Sequence, residues 1–134
     1  MIEVEVGAEL PVVTIRLEPS MLVAYAGATW DWHRLHHDAS YAQDLGLSGP
    51  VVDGQMLGAL LAERCMAAFP PGAWVRKLSF RLKAAVYAGD EISIHGRVID
   101  ISEEGGRRVV SVEQEVRVGE RLAVGPASAE VTLP

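Results

Sequence analysis

Between Asp31 and Asp38 the chain sets three of its four histidines, His33, His36 and His37, beside two carboxylates. Asp31 and His36 stand five residues apart, which on a helix separates their directions by about 140° and on a strand sends them to opposite faces. They converge only if the segment loops. A carboxylate and an imidazole facing one small space can share a water, one group taking its proton while the other gives a proton to a substrate. Such a pair can add water across a double bond, and run backwards it removes a hydroxyl and a neighbouring hydrogen. Two rival readings stand beside this one. His33, His36 and His37 are spaced to share one helical face and could ligate a metal with Asp31 or Asp38. Alternatively, Asp31 caps a turn and the histidines are merely exposed.

The elements that must position these groups are legible from periodicity. Ser20 is placed to cap a short helix over Met21 to Gly27, and Asp38 another over Ala39 to Leu45, with Gly46 as its stop. From Asp53 to Phe69 runs the longest helical candidate, opened by Asp53-Gly54 and closed by Pro70-Pro71-Gly72. Apart from Gln55, Glu63 and Arg64 its positions are apolar or small, the pattern of a helix enclosed on most sides. Downstream the period changes to two. Leu78, Phe80 and Leu82 alternate with Lys77, Ser79, Arg81 and Lys83. Ile92, Ile94 and Val98 alternate with Glu91, Ser93 and Arg97. Val110, Val112, Val116 and Val118 alternate with Ser111, Glu113 and Glu115, and Ala127, Ala129, Val131 and Leu133 end the series. These are half-buried antiparallel strands, with hairpin turns expected at Ala88-Gly89-Asp90, Glu104-Gly105-Gly106 and Val118-Gly119-Glu120. With an early strand over Val12 to Leu17, the fold class is α+β: one antiparallel sheet curled around one long helix, the hot-dog arrangement, as a single domain over residues 1–134.

Bulk properties fit this reading. A chain of 134 residues with 49% hydrophobic and 22% charged residues is the size of one globular domain. Its net charge of −6 argues against nucleic acid as the main ligand, since phosphate binding leaves a basic footprint. The start, Met1-Ile2-Glu3-Val4-Glu5, has no signal-like basic or apolar run, and no stretch is long enough to span a bilayer, so a cytoplasmic location with no membrane contact is expected. The single cysteine, Cys65, sits among apolar neighbours and reads as a buried thiol.

The motif Asp31-x-x-x-x-His36-x-Asp38-x-x-x-Ala42 resembles the signature loop of MaoC-like hydratases and dehydratases, including (R)-specific enoyl-CoA hydratases. Gly49-Pro50-Val51-Val52-Asp53-Gly54-Gln55-Met56 is similar to that family's entry into its central helix. Arg81 to Asp90, ending in Gly89-Asp90, resembles its strand-and-turn motif. The resemblance implies a dimer of hot-dog folds and an acyl-thioester substrate, with Asp31 and His36 as the catalytic pair adding or removing water across the 2-enoyl bond. It implies a backbone N–H at Gly54 as the oxyanion donor, where glycine permits close approach and the helix dipole favours negative charge. It implies no cofactor and no metal beyond the coenzyme A or acyl-carrier arm of the substrate itself.

His33 and Arg34 stand where the family loop usually carries Asn and Pro, and Asp53 stands where histidine is common and is placed to cap the long helix. The double histidine followed by aspartate is similar to the small catalytic subunits of actinobacterial steroid side-chain enoyl-CoA hydratases, which pair with a second, non-identical hot-dog chain. The partner is therefore expected to be a second copy or such a subunit. The basic stripe of Lys77, Arg81 and Lys83 offers phosphate contacts, Arg81 and Lys83 foremost, against the alternative of an ordinary solvated sheet face. Trp30 and Trp32 flank Asp31, and Trp32 is a candidate substrate contact or a packing anchor. His95 reads as exposed. Two further functional alternatives are a non-catalytic acyl-binding or partner subunit, and a thioesterase using Glu63 or Asp53. Acyl length, carrier and direction of reaction are not specified by these residues.

Overall fold

The computed structural model describes residues 1–134. Its elements run β1 (Val13–Arg16), α1 (Pro19–Thr29), a 3-10 turn (Arg34–His36), α2 (Ala39–Asp44), α3 (Gly54–Ala67), β2 (Trp74–Leu82), β3 (Glu91–Glu104), β4 (Arg107–Val118) and β5 (Arg121–Thr132). The five strands form one wholly antiparallel sheet in the order β1-β3-β4-β5-β2. This is the α+β hot-dog fold expected from the periodicity.

Alternation decides which face of the sheet meets α3. Ile92, Ile94 and Val98 on β3, Val110, Val112 and Val116 on β4, and Ala127, Ala129 and Val131 on β5 are all buried, while the residues between them are mostly half-buried or exposed. Against this face α3 lays Met56, Leu57, Leu61 and Cys65. Gln55, Ala59, Glu63 and Ala67, each four residues on, make the exposed stripe of the same helix. Gly58 allows a close approach: a Cβ there would lie 2.6 Å from the Phe80 ring of β2. Cys65 is fully buried, and that burial pushes its thiol pKa up to about 12, so it is an inert core residue.

Several local expectations change. The first helix begins at Pro19, with Glu18 as its cap and no side-chain capping bond, so Ser20 lies inside the first turn and caps nothing. Proline takes that place because its missing N–H would be unpaired there anyway. Gly105 and Gly106, both at positive φ, make the tight β3–β4 hairpin as expected. Ala88-Gly89-Asp90 is not a hairpin turn, because β2 lies at the far edge beside β5 and the chain must cross over to reach β3. Strand β5 begins at Arg121, six residues before the alternation starts to show, its early part being bent by bulges. No helix of the chain is long and apolar enough to cross a membrane.

Candidate active site

The segment from Asp31 to Asp38 is a loop because α1 ends abruptly and the chain is then tied down residue by residue. Trp30 caps α1 in the left-handed region at φ 59° and ψ 30°, a conformation costing roughly 1–2 kcal/mol for a residue with a side chain. It reverses the chain so that Asp31 N–H also returns to the Ala26 carbonyl, at 3.0 Å. His33 Nδ1 accepts the Leu35 N–H at 3.1 Å and so starts the 3-10 turn. Arg34 donates to Asp38 at 3.0 and 2.8 Å and lies over the Tyr41 ring at 4.7 Å. Asp38 meanwhile caps α2 through the Tyr41 N–H; that bond first, and Arg34 second, hold its carboxyl below the usual range. The two positions that depart from the usual family loop, His33 and Arg34, thus supply the bonds that shape this one.

This loop is closed against the segment that leads into α3. Val51 N–H bonds to the Leu35 carbonyl at 3.0 Å, and His36 Nδ1–H donates to the Val51 carbonyl at 2.7 Å. On its other side that segment is held by the Gly-Asp turn: Val52 N–H bonds to Val86 at 2.7 Å and Ala88 N–H to Pro50 at 2.9 Å. Asp90 fixes the turn by accepting the Tyr87 N–H at 2.9 Å. The segment leading into α3 is therefore bonded on one side to the loop and on the other to the Gly-Asp turn, and between loop and segment lies a narrow cleft.

Inside it His36 Nε2 lies 3.9 Å from Asp31 Oδ2 and 3.8 Å from Asp53 Oδ2. Leu22, Ala26 and Met56 line the apolar side of this cleft, and Tyr25 joins Asp31, His36 and Asp53 on the polar side. His36 and Asp53 are 16% and 15% exposed at their side chains, while Asp31 is 48% exposed. Burial, then Asp53, then Asp31 raise the Tyr25 phenol's pKa, which leaves it a neutral hydroxyl at ordinary pH. Asp53 also caps α3, its Oδ1 accepting the Gln55 N–H at 2.8 Å. The next N–H, that of Gly54, has no acceptor within the chain and lies at the positive end of a 14-residue helix. Gly54 borders a second, mainly apolar groove of about 300 Å³ formed with Leu57, Leu82 and Lys83. A Cβ at residue 54 would come within 2.5 Å of the Leu82 side chain, so glycine keeps this approach open.

Of the residues singled out in the sequence, Asp31 and His36 are brought together, and Gly54 and Lys83 share a separate groove. Arg81 is exposed on β2 and lines neither the cleft nor the groove. Trp32 packs over Gly27 and lies edge-on to Trp30 and His37, outside both. His33, His36 and His37 do not gather as metal ligands: His33 Nδ1 is taken by Leu35, and His37 Nε2–H donates to the Trp32 carbonyl at 3.1 Å. The group able to surround a cation is instead Asp31, His36 and Asp53, whose ligand atoms lie within 4.8 Å of one another. Glu63 sits on the exposed stripe of α3 and borders neither space. His95 is half-buried, 3.0 Å from the Ser93 hydroxyl, on the sheet face turned away from α3. Sequence reasoning saw Asp53 as a cap and a thioesterase alternative but missed that it faces His36, and it missed Tyr25. The only available signal for either was position, one residue before Gly54 and six before Asp31.

Comparison with known proteins identifies the family and the fold. Residues 3–121 match the family model described as MaoC like domain. A mitochondrial 3-hydroxyacyl-(acyl-carrier-protein) dehydratase of Solanum lycopersicum is 31% identical over 110 residues, covering 81% of this chain and 66% of that protein. Its counterpart from Arabidopsis thaliana is 33% identical over 69 residues, 52% of this chain and 41% of that one. The chain thus spans between two-fifths and two-thirds of these curated relatives. Among solved structures, a chain of the ChsH1–ChsH2 complex from Mycobacterium tuberculosis superposes with a TM-score of 0.88 at 25% identity, covering 98% of this chain and 100% of that one. The (R)-hydratase from A. caviae involved in PHA biosynthesis superposes with a TM-score of 0.87 at 25% identity, covering 98% of each chain. With residues 3–121 of its 134 matched by the family model, the chain belongs to the MaoC-like hydratase and dehydratase family.

Proposed function

We propose that the chain hydrates a 2-enoyl thioester to a 3-hydroxyacyl thioester, or runs the reverse dehydration, with Asp31 and His36 as the acid–base pair. The observation that carries this reading is the placement of Asp31 Oδ2 and His36 Nε2 3.9 Å apart across a narrow cleft that Asp53 also lines, Asp53 being the residue that precedes the unpaired Gly54 N–H. That N–H and the α3 dipole would hold the thioester carbonyl and favour the negative charge that collects on its oxygen. Carbon 3 becomes electrophilic as the carbonyl is polarised. One member of the pair takes a proton from water as its oxygen bonds there, and the other delivers a proton to carbon 2. The coenzyme A or acyl-carrier arm of the substrate is the only non-protein group this chemistry asks for.

The test is loss of enoyl absorbance with crotonyl-CoA and with bulkier enoyl-CoA substrates, run beside a measurement of the chain's mass in solution. Turnover by the purified chain supports the reading. Absence of turnover with every substrate and with any second hot-dog chain overturns it. A partner fits the open edge of β2, which pairs only with β5 and carries the exposed Trp74 and Leu82. We take that partner to be a second copy or a non-identical hot-dog chain of the steroid-hydratase kind; activity restored only on mixing selects the latter.

Lys83 and Arg81 are our candidates for the substrate's phosphates. Neither has a carboxylate partner, whereas Lys77 lies 3.9 Å from Glu130 and Arg76 is bound by Glu104 and Glu130. Lys83→Ala is expected to raise KM for a CoA substrate about threefold to tenfold with kcat held within twofold. An unchanged KM returns Lys83 to the solvated face.

A further inference from the structure

Tyr25 stands on the face of α1 that meets the cleft, between Leu22 and Ala26, which are buried on the same face. Its ring packs half-buried against the core cluster that contains Leu22 and Met56. The turn that follows brings it beside Asp31. Trp30 in the left-handed region reverses the chain and Asp31 N–H returns to the Ala26 carbonyl at 3.0 Å, so Tyr25 and Asp31 line one cleft from either side of the helix end. Asp53 and Asp31 are both near enough for their charges to act on the phenol.

The polar groups of the cleft do not satisfy one another. Asp31 Oδ2 and Asp53 Oδ2 lie 3.9 and 3.8 Å from His36 Nε2, beyond hydrogen-bond length. The Tyr25 hydroxyl has no partner in the chain; only the backbone carbonyl of this residue is engaged, by the Thr29 hydroxyl at 2.8 Å. The cleft contains no lysine, arginine or side-chain amide, and no second hydroxyl. Ionised carboxylates only accept, and one ring nitrogen of His36 is committed to the Val51 carbonyl at 2.7 Å. A phenol keeps its proton at neutral pH, so the Tyr25 O–H is a donor in the cleft whatever the His36 ring carries. Asp31 is half-exposed and held only by a long bond from the His33 N–H at 3.4 Å, so it can turn and admit an oxygen atom among these groups.

We propose that Tyr25 is a further catalytic residue: its hydroxyl donates a hydrogen bond to the oxygen at carbon 3, the attacking water in hydration and the departing hydroxyl in dehydration. This rests on the hydratase reading above. A water that attacks carbon 3 uses one lone pair for the new carbon–oxygen bond and gives one proton to the acid–base pair, which returns a proton to carbon 2. Its second lone pair is left for a donor, and the Tyr25 O–H takes that place and fixes the direction of attack. In reverse the carbon–oxygen bond breaks and its electron pair leaves with the oxygen. The same O–H stabilises the charge gathering there while the pair supplies the proton that completes the water. Tyr25 keeps its own proton throughout, so one water is added or removed and every side chain is restored.

Tyr25→Phe removes this hydroxyl and keeps the ring that packs against the core. We expect kcat for crotonyl-CoA hydration to fall about tenfold or more, with KM and the inhibition constant of butyryl-CoA within about twofold of the parent's. Butyryl-CoA has neither the double bond nor an oxygen at carbon 3, so it reports on acyl and carrier binding alone. A kcat within about threefold of the parent overturns the proposal. So does a loss of kcat matched by weaker butyryl-CoA inhibition and a lower thermal midpoint, which is the result of a packing role. If the parent turns over no thioester, alone or with a second hot-dog chain, the hydratase reading fails on its own, and calorimetric titration with 3-hydroxybutyryl-CoA and butyryl-CoA decides for Tyr25. Tighter binding of the hydroxyacyl thioester by the parent, abolished in Tyr25→Phe, supports its contact with the oxygen at carbon 3; a preference that is absent, or unchanged in the variant, overturns it.

Discussion

Asp31→Asn is expected to lower kcat for enoyl-thioester hydration by on the order of 10² or more while leaving the fold intact, and His36→Ala to do at least as much. The two variants differ in what else they disturb. Asp31 is half-exposed and its side chain holds only the 3.4 Å contact from His33, so its isosteric amide is expected to change stability by less than about 0.5 kcal/mol. His36 is largely buried and bridges its loop to Val51 at 2.7 Å. Removing its ring leaves that carbonyl without its partner, at roughly 1–3 kcal/mol. Asp31→Asn is therefore the sharper test, and His36→Gln, which keeps a donor near Val51, is the better companion to it. If both groups act on one proton-transfer sequence, the double variant is expected to be hardly slower than either single one, since residues that work as a unit are not additive. Rates within about threefold of the parent in Asp31→Asn would remove Asp31 from the chemistry.

How much of this site was legible beforehand depends on the range of the interaction. The Asp38 cap, the Asp53 cap and the β3–β4 hairpin were readable because each is decided within about four residues by an acceptor side chain or by glycines at positive φ. The inward face of β4 was readable because alternation needs only the strand itself. The conclusion that Asp31 and His36 need a loop to meet was readable from spacing, but the loop's shape was not. It depends on Trp30 adopting a left-handed conformation that nothing in its residue type favours, and on Val51, 15 residues after His36, returning to hold both Leu35 and His36. Asp53 facing His36 is a consequence of the same return. The crossover between β2 and β3 was misread for a related reason, as turn residues report that a chain bends and not which strand it reaches.

Leu61→Ala is expected to cost about 2–5 kcal/mol, the range for deleting most of a fully buried leucine where the surroundings relax only in part. Leu61 is fully buried at the middle of α3 and belongs to the cluster that joins the helix to Ile92, Ile94 and Val116. Its site is poorly able to collapse. Directly over it, Gln114 is the one polar side chain on the buried sheet face, and its Nε2–H donates to the Leu61 carbonyl at 3.2 Å while its Oε1 has no partner. An amide held in that way cannot swing into the space left by three carbon atoms without giving up its only bond. A single domain's stability is roughly 5–15 kcal/mol, so this one substitution removes a large fraction of it. Glu63→Ala, two residues on but on the exposed stripe of the same helix, is the control and should stay within about 0.5 kcal/mol. Both are to be read from denaturant midpoints at one fixed protein concentration, because any dimer adds its association energy to the apparent value. A loss below about 1 kcal/mol in Leu61→Ala would mean that the sheet grips α3 elsewhere. The substitution would then leave the cleft's geometry standing on the loop bonds and the Asp53 cap alone.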